Sequence, residues 1–417
     1  MYTIKNVTAR QILDSRGNPT VEAVLTLKNN KNNNNNKVCT ATASVPSGAS
    51  TGKHEAVELR DNNQKYYRGK GVLTAVNNIN TIIARNIKND SFSQQQLDQL
   101  LIELDGTINK SHLGANALLA VSMAFARASA ISQNKELYVS LQKQKKNIQP
   151  TPYMNIINGG KHAENKLSIQ EFMIVPKAKT FAESLRLGTE TYHHLKEIIV
   201  KKYGKISANI GDEGGFAPNI KSTEDALDLL QHAIDSLGYT KQINIALDCA
   251  ASEFYHKGYY TIDGYTINRE KLLHVYEQIV QHYPVVSIED PFAEDDFLGF
   301  QEITSVLGKK KKIQIVGDDL LVTNPVRIQM AVERKLCNAL LLKVNQIGTI
   351  TEALQSASIA KKAGWNIMVS HRSGETNDSF IADLAVALSC GQIKAGAPCR
   401  GERMAKYNRL LEIEEEL

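Results

Sequence analysis

The chain has 417 residues, 42% of them hydrophobic and 22% charged, a composition that buries a core and excludes disorder along the whole length. At roughly 150 residues per domain the length predicts two or three domains. Its 49 basic and 44 acidic residues leave a formal charge of +5, a mild excess that suits small phosphates and carboxylates as well as a polyanion.

In chain order, Val21, Ala23, Leu25 and Leu27 alternate with polar or small neighbours, and so do Cys39, Ala41, Ala43 and Val45. Both runs predict half-buried strands. Residues 29–37 between them are almost all Asn and Lys and read as a solvated hairpin loop. Val72, Val76, Ile79, Ile83 and Ile87 recur at helical spacing. Ser93 with Gln96 has the capping-box form and opens a helix carrying Leu97, Leu100, Leu101 and Leu104. An Ala-rich helix follows over 115–131. A sheet followed by helices is an α+β pattern. Residues 143–152 are polar and end in Pro150 and Pro152, which places a domain boundary near residue 138. The predicted domains are 1–138 and 139–417.

Beyond that boundary, β-branched runs alternate with helical segments. Strands are predicted at 243–247, 285–288, 313–316, 340–342, 367–369 and 392–393. Helices are predicted at 224–237, 269–282 and 351–363, the first and last stopped by Gly238 and Gly364. Repeated strand–helix units mean parallel strands with crossover helices, either in a closed βα barrel or in an open doubly wound sheet.

The residue after each strand carries the functional signal. The runs end in Asp248, in Glu289 and Asp290, in Asp318 and Asp319, in Lys343, in His371, Arg372 and Ser373, and in Lys394. Singly, each has a bland explanation as a helix cap or a surface charge. In a barrel, however, all these ends share one rim, where active sites sit. Three carboxylates with no soft ligand call for a hard cation, Mg²⁺ before Zn²⁺. The cationic half suits a carboxylate or phosphate on a substrate. Two further motifs precede these strands: Asn158 to Ala163 with Gln170 and Glu171, and Gly211 to Gly215 around Glu213. Glycines beside Glu213 permit close backbone approach to a ligand.

The loop from Ser47 to Lys53 imitates two motifs without matching either. Its G-x-S-x-G lies among antiparallel strands, not at a strand-to-helix elbow. As a phosphate-binding Gly-Lys loop it is one residue short, with His54 where Ser or Thr belongs. No apolar run reaches the ~18 residues of a membrane span, and no apolar stretch of signal-peptide type follows Lys5 and Arg10. Cys39, Cys249, Cys337, Cys390 and Cys399 form no C-x-x-C pair and read as reduced cytosolic thiols. The lysines at 309–312 read as a solvated turn.

Taken together the motifs resemble the enolase family. They include Asp14 to Thr20, Ser47 to Gly52, Asn158 to Ala163, Gln170 to Met173, Gly211 to Gly215, Ser287 to Pro291, Gly317 to Asp319, Leu342 to Gln346, Ser370 to Glu375 and Ala405 to Asn408, and they span nearly the whole chain. The length and residues 169–176 look like the bacterial type. The resemblance implies an N-terminal α+β domain and a C-terminal barrel with irregular first strands. It implies a glycolytic lyase, a phosphopyruvate hydratase that reversibly dehydrates 2-phospho-D-glycerate to phosphoenolpyruvate. It also implies two Mg²⁺ ions per site, the first on Asp248, Glu289 and Asp318, the second arriving with substrate and held partly by Ser50. Lys343 would be the general base and Glu213 the general acid, with Glu171 beside it and His162 in the catalytic group. Gln170, His371, Arg372, Ser373, Lys394 and Ser50 would contact substrate. On this reading the Lys343 pKa is expected to be lowered by nearby cations and the Glu213 pKa raised by burial and by Glu171. A superfamily relative acting on an unphosphorylated acid sugar is the nearest rival, opposed by Ser50, Arg372 and Lys394. The resemblance further implies a homodimer or an octamer of dimers, a cytoplasmic location with a possible surface or secreted pool, and a second role in binding plasminogen or RNA complexes.

Overall fold

The computed structural model describes residues 1–28, 38–49, 52–142, 148–163 and 165–417. Ser50 and the predicted loop at 29–37 lie outside the described residues.

The first part is an antiparallel sheet of β1 (Tyr2–Leu13), β2 (Pro19–Lys28), β3 (Val38–Ser44) and β4 (Ser91–Phe92), in the order β3-β2-β1-β4. Val21, Ala23, Leu25 and Leu27 of β2 are fully buried, as the alternation predicts. β1 was not predicted. A register shift between Ile4 and Asn6 breaks its period-2 signal, and most of its other residues face outward. The sheet packs on helix Ala115–Ser132, where Phe125 meets the ring of Tyr2 edge-on. That helix is long and apolar enough to cross a membrane by length and composition, yet 83% of it is buried. It is a core helix. Helix Gln94–Asp105 begins with the predicted Ser93–Gln96 capping box.

The second part is a closed barrel. Its strands are β5 (Thr151–Asn158), β6 (Glu171–Pro176) and β7 (Ile243–Asp248), then, after a small outer sheet of β8 (Tyr255–His256), β9 (Tyr259–Ile262) and β10 (Tyr265–Ile267), β11 (Val285–Glu289), β12 (Gln314–Gly317), β13 (Ala339–Leu342), β14 (Asn366–Ser370) and β15 (Gln392–Lys394). Of the two architectures left open, the structure takes the barrel. All six strands predicted there are present. β5 and β6 were not predicted, because Pro152 disguises the first and the polar motifs at their ends read as loops. Tyr153, Met173, Val175, Ala246, Val316, Ala339, Leu341 and Met368 fill the interior, so the barrel is a packed core, not a channel.

The irregular start places the site. β6 runs antiparallel to both β5 and β7. Its first residue, Glu171, therefore pairs with the last residues of its neighbours, Asn158 and Asp248. A reversed strand thus delivers its beginning to the rim where parallel strands deliver their ends.

The two parts dock through polar contacts. Ser47 forms a two-way backbone bridge with Gly374, and its hydroxyl donates to Asp14 Oδ2 at 2.7 Å. A Cβ on Gly374 would lie 2.4 Å from Asp14 Oδ2 and 2.5 Å from Arg16 Nη2, so any larger residue would have to displace these side chains. Arg127 donates twice to Asp378, at 2.6 Å each, and Ser44 N–H donates to the same carboxylate. Burial pushes the Asp378 pKa up, but Arg127 outweighs it and holds the group below the ordinary aspartate value. A depressed carboxylate contributes stability above its unfolded pKa and loses it as pH falls through the folded one. Asp378→Asn leaves Arg127 unpaired and should lower unfolding free energy by roughly 3 kcal/mol in a denaturant titration at neutral pH. On acidification the variant should lose less further stability than the parent. Equal stability of the two proteins at neutral pH would show that this pair does not hold the interface.

Candidate active site

Twelve of the thirteen predicted site residues fall within the described residues, and they converge on one rim. His162, Gln170, Glu171, Glu213, Asp248, Asp318, Lys343, His371, Arg372, Ser373 and Lys394 line one small pocket. Glu289 is a neighbour, joined to it by Lys394.

Strand register sets the acidic side. Glu171, Asp248 and Glu289 sit in line across β6, β7 and β11. Lys394, ending β15, reaches over the barrel mouth. Its Nζ donates to Asp248 Oδ2 at 2.9 Å and to Glu289 at 3.0 Å, and lies 3.1 Å from Glu171 Oε2. Burial lowers the Lys394 pKa, but Asp248, Glu171 and Glu289 outweigh it and hold the group well above the usual lysine value. Lys343, the N-terminal flank of helix Val344–Ile347, pairs with Asp318. Gln346 Nε2 donates to the other Asp318 oxygen at 2.8 Å.

The acid side is built from loops. Glu213 lies in the glycine-flanked turn at 211–215, 3.8 Å from His162 Nδ1 and 3.4 Å from His371 Nε2. Asn155 Nδ2 donates to it at 3.0 Å. Glu171 lies 3.5 Å from the same His162 nitrogen, and one oxygen from each of the two carboxylates falls within a 4.8 Å cluster. Two buried carboxylates at that range do not both ionise easily. Their directions separate. Burial, then the charge of Glu213, push Glu171 well above the ordinary range. Burial acts on Glu213 too, yet His371 and His162 outweigh it and hold Glu213 well below. The expected rise at Glu213 is therefore found at Glu171, because the two imidazoles and Asn155 all face Glu213. Lys343 also departs from expectation. Burial lowers it, but Asp318 outweighs burial and leaves it above the ordinary lysine value.

The donor set fits a hard cation. Among the described residues, Glu171, Glu213, Asp248, Glu289, Asp290, Asp318 and Asp319 outnumber the fixed cations Lys343, Arg372 and Lys394. Burial and Asp248 push Glu289 well above the ordinary glutamate value, so these charges lack a full counter-charge. Gln170 Oε1 and His162 Nδ1 are buried without a hydrogen bond, polar atoms that call for a ligand. Asp290 is a poor ligand. Its two oxygens accept the backbone N–H groups of Asp318 and Asp319 at 2.9 and 2.7 Å.

Three residues escaped the sequence reading. Glu55 holds Arg372 with both oxygens, at 2.9 and 3.2 Å. Asn155 faces Glu213 from inside β5. Arg403 is fully buried against the loop that follows β14. Glu55 and Asn155 follow no recognisable signal. Arg403 had one: it shares the buried stripe of helix Gly401–Glu416 with Lys406, Tyr407, Leu410 and Ile413, and cations on an apolar stripe need a buried partner.

Residues 4–141 match the family profile "Enolase, N-terminal domain", and residues 146–417 match "Enolase, C-terminal TIM barrel domain". The chain is 54% identical over 418 residues to a protein named enolase from Methanocaldococcus jannaschii, covering 100% of this chain and 96% of that protein. It is 54% identical over 423 residues to one from Methanopyrus kandleri and 52% identical over 437 to one from Solanum lycopersicum, with the same coverage in each case. The chain belongs to the enolase family. It is a phosphopyruvate hydratase, a lyase of glycolysis, and membership of the enolase family implies Mg²⁺.

One consequence follows for pH. Burial holds the His371 pKa down at about 4, despite the pull of Glu213. Unfolded histidine titrates near 6.5. Between these values the unfolded chain binds the extra proton, so His371 costs the fold stability as pH falls through that window. The melting temperature should therefore decline less steeply from about pH 7 to pH 5 in His371→Gln than in the parent. Parallel melting curves would contradict a buried neutral His371.

Proposed function

We propose that this rim dehydrates 2-phospho-D-glycerate to phosphoenolpyruvate and water with Lys343 as the base and the Glu171–Glu213 pair, through Glu213, as the acid. The observation that carries the reading is their shared pocket: a buried lysine and two closely spaced buried carboxylates face one space beside an oxygen-only acidic set. A Lys or His base with one or two Mg²⁺ is already the general pattern of the enolase superfamily, so agreement with it is a match and not an independent derivation.

Each role follows from residue chemistry. The proton beside the substrate carboxylate passes to Lys343 Nζ, which acts only when neutral. The leaving hydroxide needs a proton, and a carboxylate pair that cannot fully ionise retains one near neutral pH. Asn155 donates to the Glu213 carboxyl that presents it, and His371 Nε2 lies 3.4 Å from the same group. Arg372, Lys394, Ser373, His371 and Gln170 orient the phosphate and carboxylate, and the Arg372 fork suits such planar or tetrahedral anions. Asp248, Glu289 and Asp318 would hold the first Mg²⁺, which would stabilise negative charge on the substrate carboxylate as a Lewis acid. A second Mg²⁺ arriving with substrate, with Ser50 among its partners, rests on the family resemblance.

The same resemblance supports a homodimer or an octamer of dimers, a surface or secreted pool, and a second role in binding plasminogen or RNA complexes. Five free thiols support a cytoplasmic location. The division into 1–138 and 139–417 is retained as part of this proposal.

The decisive experiment separates two half-reactions. Lys343→Ala should abolish exchange of the substrate α-proton with solvent and cut turnover by ~10⁴-fold. Glu213→Gln should keep exchange and lose elimination, read from the ultraviolet absorbance of phosphoenolpyruvate. Chelating Mg²⁺ should silence both in the parent. Loss of exchange in Glu213→Gln to the same degree as in Lys343→Ala would overturn the assignment.

A further inference from the structure

Arg403 carries an inference that goes beyond these roles, although it rests on the reading of Glu213 as the acid. Its guanidinium is fully buried and spans two loops of the site. Nη1 lies 2.5 Å from His371 Nδ1 and donates to Arg372 O at 2.7 Å. Nη2 donates to Ser373 O at 2.7 Å and to Asp212 O at 3.0 Å. Among the described residues, the only carboxylate in ion-pair range is Glu402, 3.4 Å from Nε.

Helix stability does not explain this placement. Arg403 sits in the first turn of helix Gly401–Glu416, where a cation opposes the helix dipole. The surroundings are shaped for it instead. Gly396 has φ +86°, and a Cβ there would lie 2.9 Å from Arg403 Cδ and 2.8 Å from Glu213 O. Tyr407 donates its hydroxyl to Gly396 O at 2.5 Å, holding that turn in place.

The chemistry of the contact has one solution. Guanidinium nitrogens only donate. His371 Nδ1 must therefore accept, which leaves the single ring proton on Nε2. That nitrogen lies 3.4 Å from Glu213 Oε2, close enough to pair with it although no hydrogen bond is formed between them here.

We propose that Arg403 is a positioning residue that fixes His371 as the neutral Nε2–H tautomer, so that His371 faces Glu213 with an N–H and never as a rival base. Held in this way, His371 stabilises the carboxylate that Glu213 becomes after giving up its proton. It cannot intercept that proton, because a second proton on the ring would fall on Nδ1, against the guanidinium. The same guanidinium ties the Asp212–Glu213 turn to the Arg372–Ser373 segment, so the acid and the anion-binding groups keep one spacing.

The test reads the tautomer directly. In protein labelled with ¹⁵N-histidine, the His371 signals are those missing from His371→Gln. At neutral pH they should show an unprotonated Nδ1 and a protonated Nε2. In Arg403→Lys, which still only donates, the parent's tautomer should persist, whereas in Arg403→Gln, whose amide oxygen can accept, Nδ1 should gain proton character. Elimination should fall ~10–100-fold, as for other supporting residues around a reactive group, while α-proton exchange changes less than elimination does. A protonated Nδ1 in the parent overturns the proposal and needs no variant that might fail to fold. A folded Arg403→Gln that loses exchange and elimination equally, with the parent's tautomer intact, also overturns it. Failure of Glu213 as the acid would appear separately, as unchanged elimination in Glu213→Gln with the tautomer as expected.

Discussion

The rest of the structure is organised around buried negative charge at one end of the barrel. Glu171, Asp248 and Glu289 lie side by side on adjacent strands, each almost wholly withdrawn from water. Such a row is tolerable only if cations and hydrogen bonds compensate it. Lys394 does so from the opposite strand, and Lys343 does so for Asp318. A buried ion pair is weak evidence for stability, because replacing it with apolar groups often costs nothing. An excess of carboxylates with two lysines among them is therefore better explained by what the rim must bind than by what the fold needs.

The N-terminal part completes the rim. Glu55 stands between the Gly/Ser loop and the barrel. It accepts Gly52 N–H at 3.0 Å and Gln346 Nε2 at 3.3 Å, and it grips Arg372 with both oxygens. Gln346 in turn holds Asp318. One carboxylate thus connects the loop, the cation proposed for phosphate and a proposed metal ligand. The Asp14, Arg16 and Ser47 contacts around Gly374 fasten the same region from the other side. This explains why a small antiparallel sheet outside the barrel carries motif residues at all.

Legibility in the sequence followed the strength of the local signal. The parallel strands showed as apolar runs with a charged residue at the end, so Asp248, Glu289, Asp318, Lys343 and Lys394 were readable as one rim. The capping box at Ser93 was equally plain. β1, β5 and β6 were not, because a bulge, a proline and polar ends each erase periodicity. Glu171 and Glu213 were found through glycine-rich motifs and the family resemblance, since neither ends a parallel strand. Glu55, Asn155 and Arg403 depend on long-range packing, which no local pattern encodes.

Protonation was the least legible property of all, and the reason is geometric. Residue order says that a lysine and a glutamate share a rim, not which neighbour stands closest to each. Lys343 meets Asp318 before it meets any cation, so its charge is favoured. Glu213 meets two imidazoles and Asn155, so its charge is favoured too. The groups whose neutral forms the proposed chemistry uses are thus held charged by partners within about 4 Å, where a change of partner outweighs any long-range field. On the proposed roles, Lys343 would be controlled by what Asp318 binds, and Glu213 by the tautomer of His371. The second control runs back to Arg403, on the last helix of the chain. Both levers act through the immediate neighbour of the group they set, which is why the charge order along the strands reveals the site without revealing how it is set.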